Sequence, residues 1–455
     1  MHSRRKVSFW KQDIRCCCFI GIMSIWLVLI SSSAMAADAE PGPSGPIPAT
    51  FFGLHMHKPV VMGKQPWPTV PFGAGRLWGC GVYWAQINTA KGVYDWSLLD
   101  KWLSAYHEHG IDDLMYTFGR VPRWASSKPN DSSCTPDAPE GGLGVCDPPN
   151  DLKPDGSGPN QHWKDFVTAI ATQSKNSHGA HIRYWEIWNE PYIPKQWTGT
   201  NAQLERMAQD AREIVLNIDP TAVIVSPPPA MKSPGQQRWM ESYLQDGGGK
   251  HADVIGLHGY IHTGRPGSRP VAADIVTAIK DLRRMLEARG MGSMPIFDTE
   301  ASWGRASVMG FDADEDFEAG FLAQFYLLHW STGASRFYWY NWGNPEDGTL
   351  WSPDPGNPSG PGRVHKAGVA YKQVHDWMVG ATMNPLCSST GDGIWTCGFT
   401  RPGGYEALAV WNTGGDKSYT ANAKFKKLRD LDGNTSPIAG GKVNLGFKPI
   451  LLQNQ

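Results

Sequence analysis

The stretch YWEIWNEPY, residues 184–192, decides how the rest of the chain is read. From Ile182 to Trp188 the residues are rich in aromatic and β-branched types, which suits a buried strand. Pro191 has no N–H to give, so the ladder stops there. A carboxylate, Glu190, thus stands just where the strand ends. Side chains alternate between the two faces of a strand, so Glu186, Trp188 and Glu190 share one face. Barrels of parallel strands gather their functional groups at this C-terminal end, which gives the acid a reason to be there.

Working outward, the same pattern recurs. Strands are predicted at Thr50–Leu54, Gly75–Trp78, Asp113–Thr117, Ile182–Trp188, Ala222–Ser226, Ala252–Leu257, Pro295–Thr299 and Arg336–Tyr340. Helical spacing fills most of the intervals: Ser97–His109, Gln161–Ser177, Asn201–Ile218, Pro234–Gln245, Val271–Arg289 and Glu315–Ser331, with Lys366–Val379 after the eighth strand. No helical pattern separates the first two strands. Gly110, Gly290 and Gly333 fall where helix C-caps are expected. Eight alternations between residues 49 and 380 predict an α/β fold, a (β/α)8 TIM barrel. A doubly wound open sheet is the rival, but FFGLHMHK (51–58) replaces the glycine-rich phosphate loop it needs after the first strand. From residue 381 to 455 short strands and turns take over, which predicts a small C-terminal all-β domain with a structural role.

The N-terminus reads as a secretory signal peptide over residues 1–36. HSRRK, Lys11 and Arg15 form a basic flank, Cys16–Ile30 is apolar, and Ser31–Ala36 offers small residues for cleavage. The apolar run falls short of the roughly 20 residues that span a bilayer, so no stable membrane span is expected after cleavage. An uncleaved anchor is the alternative. Residues 37–48 read as a Pro/Gly/Ala linker, and the mature chain is expected to be secreted or periplasmic. In an oxidising compartment, Cys134–Cys146 and Cys387–Cys397 are plausible bridges, with Cys80 a buried thiol. No C-x-x-C or H-E-x-x-H spacing occurs, and no metal or cofactor is expected. A net charge of −1 without a basic stripe argues against a nucleic-acid partner. The 21 tryptophans and 14 tyrosines suit either a large core or the flat walls of a sugar cleft.

A second carboxylate, Glu300, ends the seventh strand in PIFDTEASWG (295–304). Two carboxylates facing one cleft suit cleavage of a glycosidic bond: one protonates the leaving oxygen, the other attacks the anomeric carbon or activates water. With WNEP on the fourth strand, this pair resembles the clan A glycoside hydrolases. Further motifs extend the likeness over residues 48–380. GAGRLWG (73–79) supplies Arg76, which resembles the second-strand arginine beside the nucleophile. YTFGRVPRWAS (116–126) is similar to the third-strand end of family 39, LHGY (257–260) to a sixth-strand His-x-Tyr motif, and YWYNW (338–342) to the eighth-strand aromatic end. A small β domain is usual beside such barrels.

The resemblance implies an exported retaining glycoside hydrolase acting on β-linked polysaccharide or oligosaccharide, with endo action and an exo-acting β-xylosidase-like activity both open. It implies Glu190 as acid/base and Glu300 as nucleophile, kept ionised by Arg76 and Tyr260. Asn189 would donate to the sugar 2-hydroxyl, and His258 would tune the carboxylates or bind sugar. His55, Trp124, Trp339 and Trp342 would line sugar subsites. A retaining pair should stand about 5–5.5 Å apart. Glu186 and Asp298 share the favoured face but lie deeper, as paired interior charges. His55 and His57 suit sugar contact or core polar roles equally. The acids between Asp312 and Asp316 complement a helix dipole, and Asp147, Asp151 and Asp155 lie in loops without calcium-loop spacing. A sugar-binding protein without catalysis is the competing class, against which both glutamates count.

Overall fold

In a computed structural model, residues 44–135, 142–261, 267–344, 347–357 and 360–455 are described. The expected signal peptide and the linker as far as residue 43 lie outside them. Eight parallel strands form the predicted barrel: β1 (Phe52–His55), β2 (Ala74–Leu77), β3 (Leu114–Thr117), β4 (Ile182–Glu186), β5 (Val223–Val225), β6 (Ile255–Leu257), β7 (Ile296–Ala301) and β8 (Ala334–Trp339). Neighbours in sequence are neighbours in the sheet, and β1 pairs with β8. Between β5 and β6 the cylinder closes only through single bridges, Val225 to Val254 and Ala230 to His258.

The strands are short and buried on both faces, which is why they read as apolar runs rather than alternating ones. Inside the cylinder, Ala74, Met115, Tyr184, Val223, Phe297 and Tyr338 pack in a small cluster of their own. Gly53 is required there, because a Cβ at that position would sit 2.4 Å from the Tyr338 ring. At the N-terminal end of the barrel, Arg336 bonds Asp113 at 2.7 Å and the Tyr184 hydroxyl at 2.6 Å.

The larger core lies between the strands and the helices around them, Ser97–Glu108, Gln161–Lys175, Asn201–Ile218, Pro234–Gln245, Asp274–Glu287, Glu315–Thr332 and Lys366–Met378. Their starts are written locally. Thr200 and Ser233 form capping boxes with Gln203 and Gln236, and Asp314 accepts the Phe317 N–H at 2.8 Å. At Gly333 the chain leaves a helix in the left-handed conformation (φ 98°) that glycine adopts without strain.

Two short helices that the spacing did not predict, Trp84–Ile87 and Ala306–Met309, follow β2 and β7. Strand β4 is also shorter than predicted: it ends at Glu186, and residues 187–190 leave the sheet in a turn.

Antiparallel strands form the C-terminal region. Ile394–Arg401 and Tyr405–Asn412 are the long central pair, and Val410, Phe425, Val443 and Leu452 fill a separate core. This region and the barrel belong to one compact unit. Ile47, within the expected linker, pairs with the chain on either side of residue 380 (Ile47 N–H to Ala381 O, 2.9 Å; Gly380 N–H to Ile47 O, 2.8 Å). Cys134–Cys146 and Cys387–Cys397 are disulfides, and Cys80 is a buried thiol whose pKa is pushed far up by burial. Among the described residues no helix is long and apolar enough to cross a membrane.

Candidate active site

Residues beyond the C-terminal ends of all eight strands line one cleft of about 690 Å³. Glu190 and Glu300 both face it, and their side chains keep 15% and 11% of their surface exposed, enough for a ligand to reach. Each carboxylate arrives by a different route. Glu300 lies within β7, so the strand itself aims it. Glu190 lies beyond β4, in a turn that places Trp188 (φ 88°) and Glu190 (φ 45°) in the left-handed region. Such backbone is costly for any residue with a Cβ and persists where its surroundings impose it. The anchor is Trp188, fully buried against Trp197 with its indole N–H on Gln196 O at 2.9 Å. Alternation along a strand therefore does not set the direction of Glu190; the turn does.

Arg76 on β2 lies beneath the site and bonds Glu300 and the neighbour of Glu190, Asn189. Its guanidinium is completely buried and donates to Glu300 Oε2 (2.7 Å), Glu186 Oε2 (2.5 Å) and Asn189 Oδ1 (2.9 Å). Glu186 is the buried counter-ion, also accepting from Thr117 Oγ1 at 2.7 Å. Because the Asn189 oxygen is occupied by Arg76, its NH2 group is the part left for a ligand. Asp298 pairs with His329 Nε2 at 2.7 Å, and accepts the Gly259 N–H. Both deeper carboxylates are interior charges held by fixed partners.

Around Glu300, Tyr260 donates its hydroxyl to Oε1 at 3.0 Å. Around Glu190, Tyr192 donates to Oε1 at 2.8 Å and His258 Nδ1 lies 3.0 Å from the same atom. These surroundings split the two acids. Burial raises the Glu300 carboxyl above its ordinary range, and the charge of Glu190 adds to that, against the pull of His258 and Arg76. Burial pushes Glu190 the same way, but the hydrogen bond and charge of His258, with Tyr192 and Arg76, bring it below its ordinary range. Burial lowers His258, and the charge of Glu300 and the Glu190 contact outweigh it, so the imidazole holds its proton more tightly than usual.

The other sequence candidates fall elsewhere. His55 is completely buried under the site, with Nε2 3.1 Å from Thr299 O, and burial keeps it neutral. Trp339 and Trp342 are completely buried, their indole N–H groups on Gly348 O and Pro66 O, and they do not line the cleft. Trp124 bonds Asn88 O and lines a separate hollow with Pro122 and Arg123. Large aromatic side chains fill a core as readily as a wall, and these three are placed by the packing behind the strand ends. The rings that do face the cleft are Trp78, Tyr83, Tyr192, Tyr260 and Tyr340. Of the missed residues, Tyr192 and Tyr340 stood inside motifs already singled out, and Trp78 directly follows β2. His57 also reaches the cleft, donating from Nδ1 to Gly79 O (3.2 Å) in its neutral form.

No protein-family model matches the sequence, and no curated protein does. Solved structures are similar in fold. A family 39 glycoside hydrolase from the gut symbiont Bacteroides cellulosilyticus WH2 superposes with a TM-score of 0.63 at 17% identity, over 89% of this chain and 81% of that one. A family 30 subfamily 8 xylanase from Clostridium acetobutylicum gives 0.56 at 13% identity, over 90% and 96%. A family 44 endoglucanase from Clostridium acetobutylium gives 0.53 at 13% identity, over 91% and 98%. At the level of fold, the chain therefore resembles the barrels of these glycoside hydrolases.

Proposed function

We propose that this chain is an exported retaining glycoside hydrolase that cleaves β-glycosidic bonds in a polysaccharide or oligosaccharide. One observation carries the reading: two carboxylates from separate strand ends face the same cleft, with a buried arginine bonded to the first and to the neighbour of the second. The two disulfides support an oxidising destination.

In this reading Glu300 attacks the anomeric carbon. His258 and Arg76 oppose the upward push of burial on it, and Arg76 and Tyr260 donate to its two oxygens. Glu190 gives its proton to the departing oxygen and later takes one from water. The proton it needs is close by, on His258 Nδ1. A bound sugar that displaces the last water from Glu190 adds to the upward push of burial, which favours transfer from the imidazolium to the carboxylate. Formation of the glycosyl ester then removes the Glu300 charge, and with it one of the forces that hold a proton in the site. Asn189 presents its NH2 to the sugar 2-hydroxyl, a contact that strengthens in the transition state.

The test is azide rescue. Glu300→Ala is expected to lose at least about a thousand-fold in rate and to recover partly with azide, giving the glycosyl azide of inverted configuration. Glu190→Ala should spare the first step on substrates with good leaving groups and give the azide of retained configuration. Unchanged turnover in either variant sinks the role given to that glutamate, and no turnover by the unmodified chain on any β-linked glycan sinks the proposal and leaves a sugar-binding protein as the alternative.

A further inference from the structure

Asp298 is a completely buried carboxylate with no part in the chemistry proposed for Glu190 and Glu300. Phe297 belongs to the cluster inside the cylinder, so Asp298 faces outward, toward the helix Glu315–Thr332. There His329 Nε2 lies 2.7 Å from its Oδ2. His329 Nδ1 lies 2.7 Å from Phe325 O, a carbonyl that can only accept, so that nitrogen carries a proton. A second proton lies between Nε2 and Oδ2. The imidazole is itself completely buried, stacked on Phe337 with centroids 4.1 Å apart and set across the Phe325 ring at 81°. Its packing and its two hydrogen bonds leave Asp298 one orientation.

The other oxygen reaches the site. Oδ1 accepts the Gly259 N–H at 3.1 Å and the Glu300 N–H at 3.3 Å. Gly259 stands between His258, which lies 3.0 Å from Glu190 Oε1, and Tyr260, which donates to Glu300 Oε1 at 3.0 Å. Strand β7 shifts register against β8 between Asp298 and Ala301, the step that contains Glu300. Such irregular steps re-aim a side chain, and here Asp298 bonds the backbone where it happens. The approach also needs a glycine, because a Cβ at Gly259 would lie 2.0 Å from Asp298 Oδ2. One carboxylate oxygen thus holds the backbone that carries both donors and the second acid. Apolar side chains could fill the same space without the desolvation cost of a buried ion pair, so what Oδ1 holds gives the pair its use.

We infer that Asp298 is a positioning residue: through the Gly259 and Glu300 N–H groups it sets where His258, Tyr260 and Glu300 stand, and His329 holds it in place. The placement of those three side chains is independent of what the cleft binds, whereas the consequence for rate rests on the glycoside hydrolase reading. Asparagine at this position can accept both N–H groups and donate to His329 Nε2. Alanine can do neither.

The experiment compares Asp298→Ala and Asp298→Asn in the full chain by two readouts. On a β-linked glycan, Asp298→Ala is expected to lower kcat about a hundred-fold, as a misplacement of about 1 Å does, with KM changed far less. Its acid limb should move to higher pH as Glu300 loses the Tyr260 hydroxyl, and adding Tyr260→Phe should move it no further. Asp298→Asn should regain most of the lost rate. The readout that needs no turnover is the NMR titration of the His258 imidazole. Against burial, the charge of Glu300 and the Glu190 contact raise it, so in Asp298→Ala it should fall. Should Asp298→Ala fail to fold, Gly259→Ala makes the same test from the other side, since its Cβ pushes the chain away from Asp298. A loss of stability with kcat, acid limb and His258 all unmoved overturns the inference, and so does an Asp298→Asn protein as impaired as Asp298→Ala. A shifted His258 in a chain that cleaves no β-linked glycan upholds the positioning and overturns the hydrolase reading; cleavage with nothing moved does the reverse.

Discussion

At the residue scale, the site is organised by one buried arginine. Arg76 neutralises Glu186, which is completely buried, while also holding Glu300 and Asn189. Arg76→Met should therefore destabilise the fold by about 3–5 kcal/mol, because it strands a buried carboxylate, and adding Glu186→Gln should recover part of that loss. Urea unfolding of the single and double variants measures it. Tyr260 gives the pH prediction. Burial holds the Glu300 carboxyl above its ordinary range, so activity that needs it ionised should fail, as pH drops, earlier than an ordinary glutamate near 4.3 would cause. Removing the Tyr260 hydroxyl takes away a donor to the charged form and raises that value further. Tyr260→Phe should move the acid limb of the kcat/KM profile to higher pH with the fold intact.

Glu190 and Glu300 could be picked out from sequence because strand ends in a barrel are chemically privileged places. The left-handed turn at Trp188 and Glu190 was not legible, since nothing local marks positive φ in residues that are not glycine. The tryptophans misled for a related reason: a ring beside a strand end points inward or outward according to its packing, and Trp339 and Trp342 point inward.

At the scale of elements, the helix Glu315–Thr332 shows how local and tertiary demands collide. Its start is favourable, with Asp314 capping Asp316 and Phe317 N–H groups. One turn in, Glu318 is partly buried beside Glu315 and Asp314. Burial, then the charges of those two acids, push its carboxyl up to about 8. A carboxyl raised on folding costs nothing below its unfolded value near 4.3, and the cost grows with pH until it levels off above about 8. Glu318→Gln should thus stabilise the protein by about 2 kcal/mol at pH 7 and by nothing near pH 4. Denaturant midpoints across that range test both the size and the sign. A reading of the acids from Asp312 to Asp316 as dipole-complementing captured the start of this helix, but the conflict at Glu318 needs its neighbours in space.

At the scale of the molecule, the C-terminal sheets brace the barrel through the same helix. Gly320 lies under Phe447, which stacks on Phe317 with centroids 5.6 Å apart. Gln324 donates to Phe447 O at 2.7 Å. A Cβ at Gly320 would come within 2.6 Å of the Phe447 ring. Gly320→Val should therefore lower stability by about 1–3 kcal/mol, and pairing it with Phe447→Ala should lower it by less than the sum of the two. Thermal melts of the three proteins check this. Arg401 reaches the carbonyls of Asp376, Trp377 and Val379, so the last barrel helix is held by the C-terminal region as well.

By itself the sequence determined the run of strands and helices, the barrel, and the two acids at its mouth. Each of these follows from periodicity, from caps and from residues that end a strand, all of which act over a few neighbours in the chain. Only the tertiary structure decided which way Glu190 turns and which aromatic rings face the cleft. Those depend on side chains brought together from eight loops, and close packing between distant segments leaves no short-range mark in the sequence.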